Sequence, residues 1–383
     1  MFFRIEKKYW AFLFACLSMF VLGMADNIRG PLFPELLSFF KLTNSEGSLS
    51  FAVASAAALL GNVATSELLK KFNLAQVLCL SLFLMALGLF VMGAGPDFYT
   101  YICGAIIFGI SLGLMGVTQN LMVAENVEDH KQSKALSGLH GIYGLSSLIA
   151  PLVAAYAPVV FHNWRAAFFI TSLICILFGI ASVALKPKPL FTVHPPKDRT
   201  LKSTNSIWIL LSFGGILAFY VVAEIMVSTR LALYMRTYFL MDLESSSQFV
   251  TYFFLFLLLG RIIFALKSFP YTLKNHLNFS LILSLLFFVL GMLLHPFFFV
   301  LLGLSMALFY PISVAYISEQ TGINRRQFIT FAISLQSLCV ITMHIGVGYL
   351  TDQFGLLYAF RVGFISLLLC LACLNFHPKA KSV

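Results

Sequence analysis

The chain has 383 residues, 60% of them hydrophobic and only 10% charged, and its mean hydropathy is +0.92. A soluble globular chain is about 25% charged, so a water-exposed fold is excluded and lipid must be the solvent for much of this surface. The net charge of +10 would point to nucleic acid in a soluble protein, but here the positions of the charges give it another meaning.

A bilayer-crossing helix needs about 20 apolar residues. Twelve such runs follow one another along the chain, at 9–38, 46–69, 74–95, 98–125, 132–158, 164–185, 206–240, 246–267, 277–294, 297–319, 327–350 and 356–376. Their length and lack of strict alternation predict helices rather than a barrel. Asn44, Gly95-Pro96, His162-Asn163 and Asp352 mark the short turns between them. The first run passes directly into polar residues with no small-residue cleavage site, so no removable signal peptide is expected. The seven cysteines all lie in apolar runs. Cys370 and Cys373 have neither His nor acid beside them, so helix packing is expected there, with no disulfide and no metal site.

Charge then orients the spans. With the N-terminus on the cytoplasmic side, the inner segments hold 18 of the 25 Lys and Arg residues and the outer segments hold Lys41, Arg165, Arg236 and Arg361. Every second loop obeys the positive-inside rule, which predicts cytoplasmic N- and C-termini. The basic charge is topological and no nucleic-acid partner is needed. The longest loop, 186–205, is rich in Pro and Lys and reads as a cytoplasmic linker. It separates an N-terminal six-helix bundle, 1–185, from a C-terminal one, 206–383.

The halves repeat in places. GISLGLMGVTQNLMVAE (109–125) lies over GLSMALFYPISVAYISE (303–319) at an offset of 194, matching Gly109 with Gly303, Ser111 with Ser305 and Glu125 with Glu319. At an offset of 198, Asp26 meets Glu224. Matched topology and matched residues predict two parallel six-helix repeats, a recognised transporter plan.

On these features the whole chain resembles the major facilitator superfamily. Four stretches are similar to its fucose permease-like branch. LSGLHGIYGLSSLIAPL (136–152) resembles the helix 5 pattern N-x-x-H-x-x-x-G-x-G-x-x-x-x-P, with Ser137 in place of Asn. YVVAEIMVSTRLALYM (220–235) resembles helix 7, with Arg230 near the position of a Trp. GLSMALFYPISVAYISE resembles helix 10, and GMADNIRGPLFPEL (23–36) resembles helix 1. The resemblance implies an all-α integral membrane protein of 12 helices in two bundles, with helices 1, 4, 7 and 10 lining a central cavity.

Within that frame the intramembrane polar residues become site candidates. Asp26 lies about 25 Å along helix 1 from Tyr9, and Glu224 about 27 Å along helix 7 from Ser206. Acids at such depth are costly unless they face a cavity or a partner. Both are expected to couple transport to protons. Asp26 has a plainer alternative, an i,i+3 ion pair with Arg29; Glu224 has a structural hydrogen bond to helix 11. Pro31 and Pro34 predict a bend in helix 1. Asn27, Arg29, Gln119, Asn120, His140, Tyr143, Arg230 and Gln336 are the expected substrate-binding residues, since amides and imidazole offer both donors and acceptors to a hydroxylated solute. For the amides the alternative is interhelical polar contact, and for Arg230 it is snorkelling to the outer interface. His344 reads as packing. Glu67, Lys70, Lys71, Glu125, Arg261 and Glu319 are expected to form cytoplasmic gate latches, with solvated end charges as the alternative.

The expected activity is secondary transport by alternating access, coupled to protons with sodium as the alternative ion and no other cofactor. No Walker A pattern is present, so ATP is not the direct driver, and neither H-E-x-x-H nor G-x-S-x-G is found, so an enzyme is not expected. The resemblance implies uptake of a hexose or similar small polar solute. The alternative is proton-driven export of drug-like compounds or organic anions, which Arg29 and Arg230 would suit. A monomer in the lipid bilayer is expected, and the short loops point to a bacterial inner membrane.

Overall fold

The structure is a computed structural model and describes residues 7–127, 129–184, 207–266, 270–321 and 325–376. The linker 186–205 and the basic termini therefore lie outside the described residues. All regular structure among those described is helical: α1 (Lys7–Asn27), α2 (Phe33–Phe40), α3 (Asn44–Leu68), α4 (Leu74–Ala94), α5 (Phe98–Asn126), α6 (Asp129–Phe161), α7 (Ala166–Ala184), α8 (Ile207–Phe239), α9 (Leu243–Leu266), α10 (Leu273–Leu293), α11 (Phe297–Met306), α12 (Phe309–Thr321), α13 (Arg325–Phe354) and α14 (Leu356–Phe376). Twelve stretches are long and apolar enough to cross a membrane.

Two of the expected runs are broken. The first divides into α1 and α2 around residues 28–32, because Pro31 and Pro34 lack the N–H groups that would continue the helical ladder. What reads as a bend in the sequence is a break between two helices, where Ile28 N–H still donates to the Met24 carbonyl and Leu32 N–H to the Ile28 carbonyl. The tenth divides into α11 and α12. Pro311 cannot donate to the Ala307 carbonyl one turn back, and the Arg261 Nε–H donates to that oxygen instead, at 3.4 Å. The neighbouring Met306 carbonyl accepts from the Tyr220 hydroxyl at 2.7 Å. Side chains thus replace the missing backbone donors, which low-dielectric surroundings demand. At Asp352, read as a turn, α13 instead runs on to Phe354. The chain reverses at Gly355, whose φ of +86° suits only glycine at low cost.

The chain forms two compact units. The first takes residues up to Leu32 and those from Val53 through α7. The second takes Phe33–Ala52 with α8 to α14. The short α2 and the start of α3 therefore belong with the second unit, whereas the sequence expectation groups all of 1–185 together.

Each unit is closed by a glycine that the repeat pairs. A Cβ on Gly109 would stand 2.2 Å from the Ala54 carbonyl of α3, and one on Gly303 would stand 2.1 Å from the Phe253 carbonyl of α9. Only glycine permits such an approach of two backbones, the usual way helices pack tightly in lipid. The second unit adds an aromatic core, with the Phe360 ring 4.7 Å from Tyr234 and 5.3 Å from Phe299. The side chains of Asn73, Asp97 and Thr272 cap the starts of α4, α5 and α10. The Asp97 carboxylate accepts from the Thr100 N–H at 2.8 Å, and that backbone hydrogen bond holds it below the usual carboxylate range.

Candidate functional site

In the first unit the end of α1 brings four expected residues together, Asp26, Asn27, Arg29 and Tyr143. Asp26 Oδ1 accepts from Arg29 Nη2 at 2.7 Å, and Asp26 Oδ2 accepts from the Tyr143 hydroxyl at 3.0 Å. Asn27 Nδ2 lies 3.2 Å from the Tyr143 oxygen and 2.9 Å from both Ser147 Oγ and the Gly23 carbonyl. The Arg29 guanidinium sits 4.5 Å over the Phe108 ring, a cation–π contact worth more when desolvated. The ion pair of the plainer Asp26 reading is present, and the carboxylate also takes a phenolic hydrogen bond from a different helix. Ser147 joins this group without having been singled out in the sequence.

The other first-unit candidates are more scattered. Gln119 is fully buried and donates to Ser18 Oγ at 3.0 Å, tying α5 to α1. Asn120 donates to the Gly116 carbonyl of its own helix at 2.7 Å, the local back-bonding that leaves its amide oxygen for other use. His140 is exposed on α6, one turn before Tyr143.

The second unit builds a similar group around Glu224. This half-buried carboxyl lies against the Tyr220 hydroxyl and within electrostatic reach of Arg261. Sequence spacing shows no cation within a turn of Glu224; α9 supplies one across the bundle. Arg261, expected in the cytoplasmic gate, donates to the Ala307 carbonyl at the α11–α12 break and lies within electrostatic reach of Glu224. The two acids matched by the repeat each keep one tyrosine and one arginine in attendance.

Arg230 occupies a different kind of place. It is 1% exposed, so it does not snorkel to an interface. Its Nη2 donates to Ser48 Oγ at 2.8 Å. The guanidinium lies 4.1 Å from the Phe33 ring centroid and 5.0 Å from that of Phe51, and Phe51 in turn stacks on His344 at 5.0 Å. Nη1 is buried with no hydrogen-bond partner. No carboxylate within salt-bridge distance of Arg230 is found among the described residues, whose ion pairs are Asp26–Arg29, Glu67–Lys70 and Glu35–Arg236. One neutral hydrogen bond contributes about 1 kcal/mol net, and a desolvated ring face about 2 kcal/mol or more, but none of these groups carries a counter-charge. Burying a cation still costs several kcal/mol after relaxation. The charge is answered only in part.

The segment Phe33–Ala52 that carries Phe33, Ser48 and Phe51 is held in the second unit by two further contacts that sequence reasoning missed. Glu35 pairs with Arg236. The Asp352 carboxylate accepts from Asn44 N at 2.9 Å, Asn44 Nδ2 at 3.0 Å and Ser45 N at 2.7 Å. It caps the start of α3 from α13, placing negative charge at the positive end of the helix. Sequence separations above 300 residues hide such a cap from any local pattern.

Of the expected gate residues, Glu67 and Lys70 bridge each other at 2.7 Å within one exposed turn. Lys71, Glu125 and Glu319 are exposed. Gln336 is half-buried on α13, with its amide oxygen unpartnered. No group of three or more metal-ligating side chains occurs among the described residues.

The chain is 28% identical over 201 residues to the efflux pump hmp6 of Hypomyces subiculosus, covering 50% of this chain and 33% of that protein. It is 25% identical over 169 residues to the glucose/mannose transporter GlcP of Bacillus subtilis (strain 168), covering 44% of this chain and 41% of that one. The chain spans only 29% to 33% of the length of the first curated relatives it matches. The solved structure of a D-xylose-proton symporter superposes with a TM-score of 0.77 at 14% identity, covering 97% of this chain and 98% of that chain. The sequence profile of the Major Facilitator Superfamily matches residues 15–337, and with twelve spans in the same fold the chain belongs to that superfamily of membrane transporters.

Proposed function

We propose that this transporter is a proton-coupled symporter of a hexose or similar small polar solute, working by alternating access. The observation that carries the reading is the Asp26 carboxylate, held at the end of a spanning helix between Arg29 and the Tyr143 hydroxyl. A carboxylate with one fixed cation and one reorientable hydroxyl has two arrangements: charged and ion-paired, or protonated and released from Arg29. Proton uptake there changes the net charge of the cluster, which is what a rocking transporter needs to bias its two states. Glu224, with Tyr220 and Arg261, is the equivalent group of the second unit. Asn27, Asn120, His140, Tyr143 and Gln336 supply the donors and acceptors suited to hydroxyl groups. The glucose/mannose transporter among the relatives and the xylose–proton symporter among the folds support this reading.

The same reading takes both termini as cytoplasmic, the linker 186–205 as the join between the repeats, a bacterial inner membrane as the location and a monomer as the working unit. Glu67, Lys70, Lys71, Glu125, Arg261 and Glu319 stand as the inner gate, the charged groups whose pairings change between states. One observation favours a second reading, export of an organic anion as in efflux pumps: the buried, incompletely answered charge of Arg230.

The test is substrate-dependent proton movement in proteoliposomes, with hexoses and small organic anions screened against the wild type, Asp26→Asn and Glu224→Gln. A hexose that carries protons inward in the wild type, with the movement lost in either variant, supports symport. Solute movement only out along an imposed proton gradient would replace it with export.

A further inference from the structure

Among the described residues, Arg230 is a buried cation with no carboxylate within salt-bridge distance. The guanidinium offers five N–H donors in a rigid fork, of which the structure uses Nη2 toward Ser48 Oγ at 2.8 Å. Nη1 is enclosed and donates to nothing. Phe33 and Phe51 pack on the cation at 4.1 Å and 5.0 Å. They shield it from water without supplying negative charge. A fold that needed only to fill this volume would use an apolar side chain. A fold that needed a structural cation would pair it, as it pairs Arg236 with Glu35 and Arg29 with Asp26.

We propose that Arg230 is the docking point for an oxyanion group, a carboxylate or phosphate, on the small soluble solute this protein carries. The proposal rests on the transporter reading above and narrows its solute to one that bears a negative charge. Nη1 and Nη2 together present the two parallel donors that a carboxylate or phosphate accepts in bidentate fashion. Nη2 is held by one neutral serine hydroxyl, which a charged oxygen outcompetes. The residues that close over the guanidinium, Phe33, Ser48 and Phe51, all lie on the single segment Phe33–Ala52. That segment is fastened by Glu35–Arg236 and by the Asp352 cap on α3, polar contacts that can be exchanged for water. Release of this segment uncovers the guanidinium to a soluble anion; its return traps the anion between two aromatic rings.

The test is binding to the purified, detergent-solubilised full chain, read as the thermal unfolding midpoint. Sodium acetate and inorganic phosphate are the minimal probes. They are compared with sodium chloride at matched ionic strength, and gluconate is compared with glucose. Phosphatidylglycerol is added in a separate arm to represent a lipid headgroup. The expected result is a saturable rise with acetate, phosphate or gluconate in the wild type. Arg230→Lys raises the half-saturating concentration about tenfold, since a point charge replaces the fork. Arg230→Met loses the response and, without any anion, unfolds at a higher temperature than the wild type, because an unanswered buried charge has been removed. That last readout does not depend on ligand and separates a binding role from a structural one.

A lower midpoint for Arg230→Met without anion, or an anion response unchanged in that variant, overturns the proposal. So does stabilisation by phosphatidylglycerol alone. Proton-coupled glucose uptake that persists in Arg230→Met, with no anion effect in the wild type, overturns this site and leaves symport standing. An anion response lost in Arg230→Met with no proton-coupled uptake of any solute supports the site while the symport reading falls.

Discussion

Arg29 and Arg230 are both buried arginines, one in the turn after α1 and one in the middle of α8. Both lie over phenylalanine rings, Arg29 on Phe108 and Arg230 on Phe33 and Phe51. They differ in what answers the charge. Arg29 has a carboxylate at 2.7 Å, three residues away. Arg230 has a serine hydroxyl. Removing a side chain from the first pair strands an opposite charge, whereas removing the second leaves only the neutral Ser48 hydroxyl without its partner. The same residue type, buried in both places, is ion-paired in one and has no carboxylate within salt-bridge distance in the other.

The sharpest way to break this contrast is to replace each arginine with methionine. Arg29→Met leaves Asp26 without its cation and is expected to destabilise the protein by about 3 kcal/mol. Arg230→Met is expected to stabilise it by about 1 kcal/mol or more. Opposite signs in the thermal midpoint of the purified protein confirm the contrast, and equal losses refute it.

A second comparison sets the units against each other. Gly109→Ala and Gly303→Ala each push a methyl group to within 2.2 Å of a carbonyl oxygen on a neighbouring helix. Each is expected to cost about 1–3 kcal/mol, measured as loss of folded protein on heating. Gly116→Ala has nothing within 4 Å of the new carbon and serves as the neutral control. If only one of the paired glycines responds, the repeat does not extend to packing.

Smaller effects are expected from the helix caps. Asp352→Ala removes the cap that holds the start of α3 and is expected to cost about 1 kcal/mol, together with easier proteolysis of the connection at 41–43. Asp97 caps its own helix and is the local counterpart. Its carboxyl is held low by the Thr100 N–H. Its contribution is therefore present above the unfolded value of about 3.9 and is lost as pH falls through the lower folded value. Asp97→Asn keeps a capping oxygen and removes the titration, so acid unfolding curves of wild type and variant should approach each other below that window. A variant that tracks the wild type across the entire acid range would show that this cap carries none of the pH dependence.

Much of this architecture was readable from composition and spacing, because lipid imposes a simple rule: backbone polar groups must be satisfied within the span. Twelve apolar runs became twelve spanning stretches for that reason. The Asp26–Arg29 pair was legible because i and i+3 meet on any helix or tight turn. Gly109 and Gly303 aligned in the repeat and do the same work in both units. Pro31 and Pro34 marked the first interruption, as a bend, whereas the second, at Pro311, was not expected.

Other features depend on helices that are distant in sequence and adjacent in space. No spacing rule connects Arg261 with Glu224, or Asp352 with Asn44, or Ser48 with Arg230. The sequence by itself determined the solvent, the number of spans and the local pairs, since these follow from hydropathy and the pitch of a helix. Only the tertiary structure decided which buried charges are answered and which are left open, since that depends on which helix faces which across the bundle.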